Sequence, residues 1–195
     1  MKDIINSLKD VKSNQVYHYA NLEIFGYYGA SEQINTSINL GNNNNANVYI
    51  VNTAVNFETE VNINIKCTGN NNSVTVKSLN IAGKDSSITN VVGVTINKGT
   101  KANSAHVNIK NFLLHNSSVI LARPDLYIHT DRVECSHGCS MGYFNADQLF
   151  YLNTRGIKNA KELLLQGIIN SMLVQSAEAD KHIERLIDVQ RLISY

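Results

Sequence analysis

From residue 16 to about residue 133 the chain is one short alternating run after another. "VYIVNT", "VNINIKC", "SVTVKSLNI", "VGVTINKG", "HVNIKNFLL", "SVILARP" and "LYIHTDRV" are each rich in Val, Ile and Thr. Apolar and polar residues alternate along them, the period expected of strands with one buried face. Between the runs lie "GNNNNAN", "TGNNNS", "GKDSS", "NKGTKAN" and "HNSS". In such clusters Asn and Gly supply the positive φ of tight corners. The runs return about every 12 residues with no helical pattern between them, and two architectures fit that spacing. One is an antiparallel sandwich or barrel. The other is a parallel β-helix, whose coils stack and bury a continuous core. Asn-rich corners suit the β-helix, because amides stacked at equivalent positions hydrogen-bond in ladders. Composition alone leaves both open.

The flanks have a different texture. Residues 1 to about 13 place Ile4, Ile5, Leu8 and Val11 at helical spacing, so residues 1–15 read as a short N-terminal helical segment. Residues 16–144 form the β core, and residues 145–195 a helical C-terminal module. There Asn145 with Gln148 makes a capping-box pattern that opens a helix through "LFYLNTR", and Gly156 closes it. Asn159 with Glu162 repeats the pattern before a helix carrying Leu163, Leu164, Ile168, Met172 and Leu173. A last helix is expected from about Ala177, with Ile183, Leu186, Ile187, Val189, Leu192 and Ile193 on it.

Bulk properties narrow the function classes. A chain of 195 residues suits one domain with a helical appendage. A net charge of +1 gives no field that would draw nucleic acid or an anionic membrane. No apolar run is long enough to span a bilayer, and the N-terminus has no continuous apolar stretch of a secretory signal. Three cysteines are too few for a disulfide framework, so a reducing, cytoplasmic setting is expected. "FYLNTRGIKNAKELLLQGI" has a helix–turn–helix outline, but its second helix is Leu-rich and offers little to read bases. A carbohydrate-active β-helix enzyme groups acids on one face, whereas Glu58, Glu60 and Asp85 are scattered in the sequence.

The stretch "VECSHGCSMG" holds Cys135, His137 and Cys139. As a strand it puts all three on one face, with about 6–7 Å between neighbours. C-x-H-x-C is not the spacing of a structural zinc site, and no second ligand pair follows. One extended strand therefore does not close a metal site, although a site completed by another chain stays open. A Cys–His pair could activate a thiol, but Glu134 has the opposite parity. The bland alternative is two small buried cysteines and a hydrogen-bonded histidine.

The segment "RPDLYIHTDRVECSHGCSMGYFNADQLFYLNTRGIKNAKELLLQGIINSML" resembles the C-terminal core of the SufB/SufD family of iron–sulfur cluster assembly proteins. Its landmarks are Pro124, the V-x-C-S-H-G of residues 133–138, Gly142, the D-Q-L-F-Y-L-x-x-R-G-I of residues 147–157 and the triple Leu of residues 163–165. "KANSAHVNIKNFLL" resembles the family's strand around an Ala-His pair, here Ala105 and His106. The resemblance covers roughly residues 99–173. It implies a right-handed parallel β-helix (solenoid) flanked by helices. It implies a complex in which SufB-like and SufD-like subunits pair through β-helix ends and dock their C-terminal helices on a SufC-like ABC-type ATPase. The C-S-H-G of residues 135–138 resembles SufD, where SufB carries an E-H-E-type sequence. Ser118 stands where SufB carries an acceptor cysteine, six residues before the proline.

On this resemblance the chain is a SufD-like scaffold subunit, not an enzyme, and is shortened on its N-terminal side. His137 is the expected ligand for iron or a transient iron–sulfur cluster shared with a partner chain, with no such group held stably by this chain alone. Cys135 is the family's neighbouring cysteine. Cys139 stands where the family has a small residue and reads as structural. His106 is a minor candidate. Leu149, Tyr151, Arg155, Gly156, Ile157 and Leu164 are the expected ATPase-docking positions. A homodimer, or a degenerate copy kept for structure, is the alternative within the family. Cys67, His18, His115, His129 and His182 read as structural.

Overall fold

The computed structural model describes residues 2–173 and residue 192. Eleven strands are followed by two α-helices among the described residues. The odd strands β1 (Lys2–Ile5), β3 (Asn21–Tyr28), β5 (Asn45–Ala54), β7 (Ser73–Ala82), β9 (Asn103–Leu113) and β11 (Val133–Tyr143) form one sheet in that order. The even strands β2 (Val16–Tyr17), β4 (Gln33–Leu40), β6 (Glu58–Cys67), β8 (Ser87–Ile96) and β10 (Val119–Ile128) form the other. Every pairing between neighbours is parallel. Each coil thus contributes one strand to each sheet, and the chain is a parallel β-solenoid. The recurrence of about 12 residues in the sequence is half a coil, a strand and its corner.

The corners explain the asparagines. Tyr19, Asn43, Asn71 and Ala102 all have φ between 53° and 58°. They stack one above another: the N–H of each donates to the next coil, Tyr19 to Asn42 O, Asn43 to Asn70 O, Asn71 to Lys101 O and Ala102 to Arg132 O. Beside them the amide of Asn44 donates to Asn72 Oδ1 at 2.8 Å, 28 residues on, and that of Asn72 to Asn103 Oδ1 at 3.0 Å. Such ladders satisfy buried polar groups that a parallel stack would otherwise strand.

Alternating burial follows the pleat. Ile34, Ile38, Val61, Ile63, Ile65, Val92 and Val94 face Ala46, Val48, Ile50, Val74, Val76, Ala105, Val107 and Ile109 across the lumen. The second halves of β5 and β7 are buried on both faces. The reason is α2 (Ala160–Leu173), which lays Leu165 and Ile169 on Val51, Leu79, Ile81, Phe25 and Tyr49 outside the odd-numbered sheet; Leu192 joins this cluster. In the even-numbered sheet, β4 and β6 keep a polar outer face and read in strict alternation.

Two local expectations are corrected. Residues 1–15 contain no α-helix among the described residues: Lys2–Ile5 is a strand paired with Asn21–Ile24 of β3, followed by a 3-10 turn, Leu8–Asp10. An open sheet edge outcompeted a weak helical pattern, and Leu8 and Val11 turn in to cover the core. Leu8 is 1% exposed, and its N–H donates to the buried Tyr28 hydroxyl at 2.9 Å. "SVILARP" and "LYIHTDRV" are not separate strands, because β10 runs straight through Pro124. β10 is an edge strand, where proline's missing N–H is tolerated. On α2 the buried face is Leu165 and Ile169, while Leu163 is exposed; in a helix this rich in leucine the sequence does not single out one face. The helix expected from Ala177 lies outside the described residues.

α1 (Ala146–Thr154) begins and ends as expected. Asn145 Oδ1 accepts the N–H of Asp147 at 2.8 Å, and Gly156 takes φ +82° just past the end.

Candidate functional site

In parallel strands, paired residues carry their side chains on the same side of the sheet. Cys135 pairs with Ala105, His137 with Val107 and Cys139 with Ile109, and those three partners are buried in the lumen. The sulfur and imidazole row therefore faces inward, as the strand parity requires. β11 and β10 are the last strands of their sheets, so nothing among the described residues stacks above them. His137, Cys139, Met141 and Tyr143 are exposed in consequence, although they occupy core positions of the coil. On β10 the outward-facing Val119, Leu121 and Tyr127 are exposed as well.

The residues of the row differ in surroundings. Cys135 is half-buried against the core. Burial pushes its thiol up, a contact with the Ala105 backbone offsets part of this, and Glu134 adds to the rise. His137 has no hydrogen-bond partner among the described residues, so both ring nitrogens are free to meet an incoming group. Cys139 Sγ accepts the Asn111 amide N–H at 3.3 Å. Among the described residues no three His, Cys, Asp or Glu side chains converge on one ion.

The other expected residues fall elsewhere. His106 lies on the outer face of β9 and bonds Ser136 Oγ at 2.8 Å, so the wall of the coil separates it from His137. Ser118 is buried in the turn before β10 and donates to His115 O. Cys67 is wholly buried at the end of β6; burial, with Cys135 contributing, pushes its thiol up to about 12. Gly142 lets the Phe112 ring approach: a Cβ there would stand 3.0 Å from it, and Phe112 packs edge-on against Phe144. His182 lies outside the described residues.

On the helices, none of the side chains of α1 is buried. Phe150 and Tyr151 are exposed, Leu149, Ile157 and Leu164 half-buried. Arg155 caps α1 and sits 5.3 Å over the Tyr151 ring, and with Gly156 it shapes the turn into α2. The acids that look scattered in sequence are partly gathered in space. Glu32, Glu58 and Glu60 border one shallow depression outside the even-numbered sheet. Glu32 pairs there with Lys9, and Glu60 accepts from Gln33 and Asn62.

Sequence reasoning missed Asn111 and Met141. A signal existed for the first: in "HVNIKNFLL" the asparagine occupies the apolar parity set by Val107 and Ile109.

Comparison with known proteins decides the family. The family model described as "SUF system FeS cluster assembly, SufBD core domain" matches residues 29–168, from the second coil through α1 and into α2. This chain belongs to the SufBD family. An iron–sulfur cluster assembly SufBD family protein of Synechocystis sp. is 35% identical over 68 residues, 34% of this chain and 15% of that protein. Escherichia coli SufD, an iron–sulfur cluster assembly protein, is 35% identical over 57 residues, 28% of this chain and 14% of its own. A SufBD family protein of Pyrococcus horikoshii is 27% identical over 95 residues, 48% of this chain and 20% of its own. The matched segments thus span a fifth or less of these relatives. The SufBD core is a β-helix fold, and the stacked coils seen here are that fold. Membership ties the chain to the SUF system of iron–sulfur cluster assembly. No described helix is long and apolar enough to cross a membrane.

Proposed function

We propose that this SufBD-family chain is a SufD-like scaffold subunit of an iron–sulfur cluster assembly complex, without catalytic turnover of its own. The observation that carries this reading is the last coil, which holds Cys135, His137 and Cys139 at core positions with nothing among the described residues stacked on them. Solenoids need a cap at each end, and a partner with a similar strand edge supplies one. A SufB-like protein is the proposed occupant. Iron or a nascent cluster is the cargo at the join: His137 offers a neutral imidazole nitrogen, Cys135 lines the same row, and the partner completes the coordination. Cys135-Ser136-His137-Gly138 and the serine at 118 favour the SufD branch over the SufB branch.

The helices supply the second contact. Leu149, Tyr151, Arg155, Gly156, Ile157 and Leu164 lie on or between α1 and α2, and the exposed Phe150 and Tyr151 give a SufC-like ATPase an apolar anchor. Nucleotide-driven closure of the ATPase then reshapes the join between the β-helices. Three unpaired cysteines suit the reducing cytoplasm.

A homodimer through the same edge is the second reading, because Met141 and Tyr143 of β11 stay exposed there and a second copy carries the same edge. Co-expression with cognate SufB-like and SufC-like proteins separates the two. Co-purification with both is expected, and His137→Ala is expected to keep the assembly but lower its iron and sulfide. Association with neither partner sinks the SufD-like reading, and a two-fold self-complex in its place supports the homodimer.

A further inference from the structure

The inward row of β11 runs Cys135, His137, Cys139, Met141, so its soft donors extend past the histidine. Of its two thiols, Cys139 is the exposed one and Cys135 is packed against the core. Cys139 is also held. Asn111 is 3% exposed, and its Oδ1 is occupied by the amide of Asn80 at 2.7 Å. That contact fixes which way the Asn111 amide points. Its Nδ2 must face the mouth of the coil, where it donates to Ser140 O at 2.9 Å and to Cys139 Sγ at 3.3 Å. Ala122 O of β10 lies 3.9 Å from the same sulfur. A buried side chain thus aims a hydrogen-bond donor at a sulfur on the rim, beside an imidazole with no partner among the described residues.

We propose that Cys139 is the thiol this chain offers to a thiophilic divalent cation, ferrous iron in the first instance, at the open end of the solenoid. His137 is the neighbouring nitrogen donor, and Asn111 is the positioning residue that orients the sulfur. This rests on the open end being a cluster-assembly face, and it reverses the weights that the family pattern puts on the two cysteines. Binding exchanges the S–H bond of Cys139 for a sulfur–metal bond, and the proton leaves to solvent. An N–H donated to the sulfur stabilises the charge that remains on it. Iron keeps its oxidation state, and no further reactant is needed.

Site-resolved alkylation of the full-length chain under anaerobic conditions tests this, with labelled peptides quantified by mass spectrometry. Without metal, iodoacetamide is expected to modify Cys139 about tenfold faster than Cys135, and Cys67 only after denaturation. Added ferrous iron is expected to slow labelling of Cys139 several-fold, with less protection in His137→Ala. Asn111→Ser shortens the buried side chain and is expected to weaken the protection. Should that variant unfold, the wild-type comparison with and without iron still decides. Equal labelling of Cys135 and Cys139, or iron that protects Cys135 and leaves Cys139 unchanged, overturns the assignment. Pairing with a partner is not read here. A chain that binds no SufB-like protein yet shows iron-protected Cys139 keeps this thiol and loses the proposed role; the converse result does the opposite.

Discussion

Asn80 and Asn111 are joined by a 2.7 Å amide hydrogen bond inside a lumen lined mainly with Val, Ile and Leu. The bond is one step of a buried ladder. Asn52 donates to Asn80 Oδ1 at 2.6 Å and Asn90 to the same oxygen at 2.9 Å, so three asparagines depend on Asn80. Asn80→Ala leaves buried donors of Asn52 and Asn90 and the oxygen of Asn111 without their partner. A loss of about 3 kcal/mol is expected, larger than for an ordinary polar deletion. Urea denaturation measures it, and a loss under about 1 kcal/mol would show that the ladder relaxes onto water.

Among the described residues, α2 is fastened to the solenoid mainly by two side chains. Leu165→Ala and Ile169→Ala each remove a fully buried side chain from the outer face of the odd-numbered sheet. Each is expected to cost about 2–4 kcal/mol. Leu163→Ala, on the exposed side of the same helix, is expected to be close to neutral. Thermal melts of the three variants compare the faces directly, and equal losses at all three would contradict the packing.

Alkaline pH is expected to destabilise the fold through Cys67. Its thiol sits at about 12 in the folded chain against 9.0 for an unperturbed group, because burial disfavours the thiolate. The unfolded state therefore gives up its proton first as pH rises. The stability contributed by the buried neutral thiol is complete below pH 9 and is lost progressively towards 12. Cys67→Ala lowers stability at neutral pH by leaving a small void, but its stability is expected to fall less steeply between those limits. Parallel slopes for the two proteins would remove Cys67 as the cause.

The open end makes a prediction of opposite kind. Met141 and Tyr143 are 54% and 75% exposed despite occupying inward positions. Met141→Lys and Tyr143→Lys are expected to change the stability of the isolated chain by no more than about 0.5 kcal/mol. Both are expected to reduce pairing through that end, read as loss of co-purification with a SufB-like partner. Destabilisation of the isolated chain with pairing intact would place these side chains in the monomer's own core.

Much of the architecture is legible from residue order. "VNINIKC" alternates because β6 has a lumen face and a solvent face, and the polar corners carry Asn because they stack at positive φ. The choice between a sandwich and a solenoid was not legible, since a single strand shows the same period in both and only register tells them apart. Ile4, Ile5, Leu8 and Val11 misled for a related reason: their spacing fits a helix, but the free edge of β3 and the bare end of the core were the stronger partners. At the candidate site the parity of Cys135, His137 and Cys139 was readable. Their exposure was not, because it depends on β11 being the last strand. Asn111 hid in plain view as a polar residue on an apolar parity, and its role needed the neighbouring coil to become visible.

The two ends of the coil stack are unlike. Among the described residues, Leu8, Val11 and Tyr28 cover the core at one end, and nothing stacks on β10 and β11 at the other. A rod that is adhesive at both ends polymerises, because each added unit re-creates the surface it consumed. A rod with one adhesive end uses that surface up at its first contact. Association of such a rod along its axis stops at a pair, and strand edges that would otherwise invite fibres become a device for counting to two.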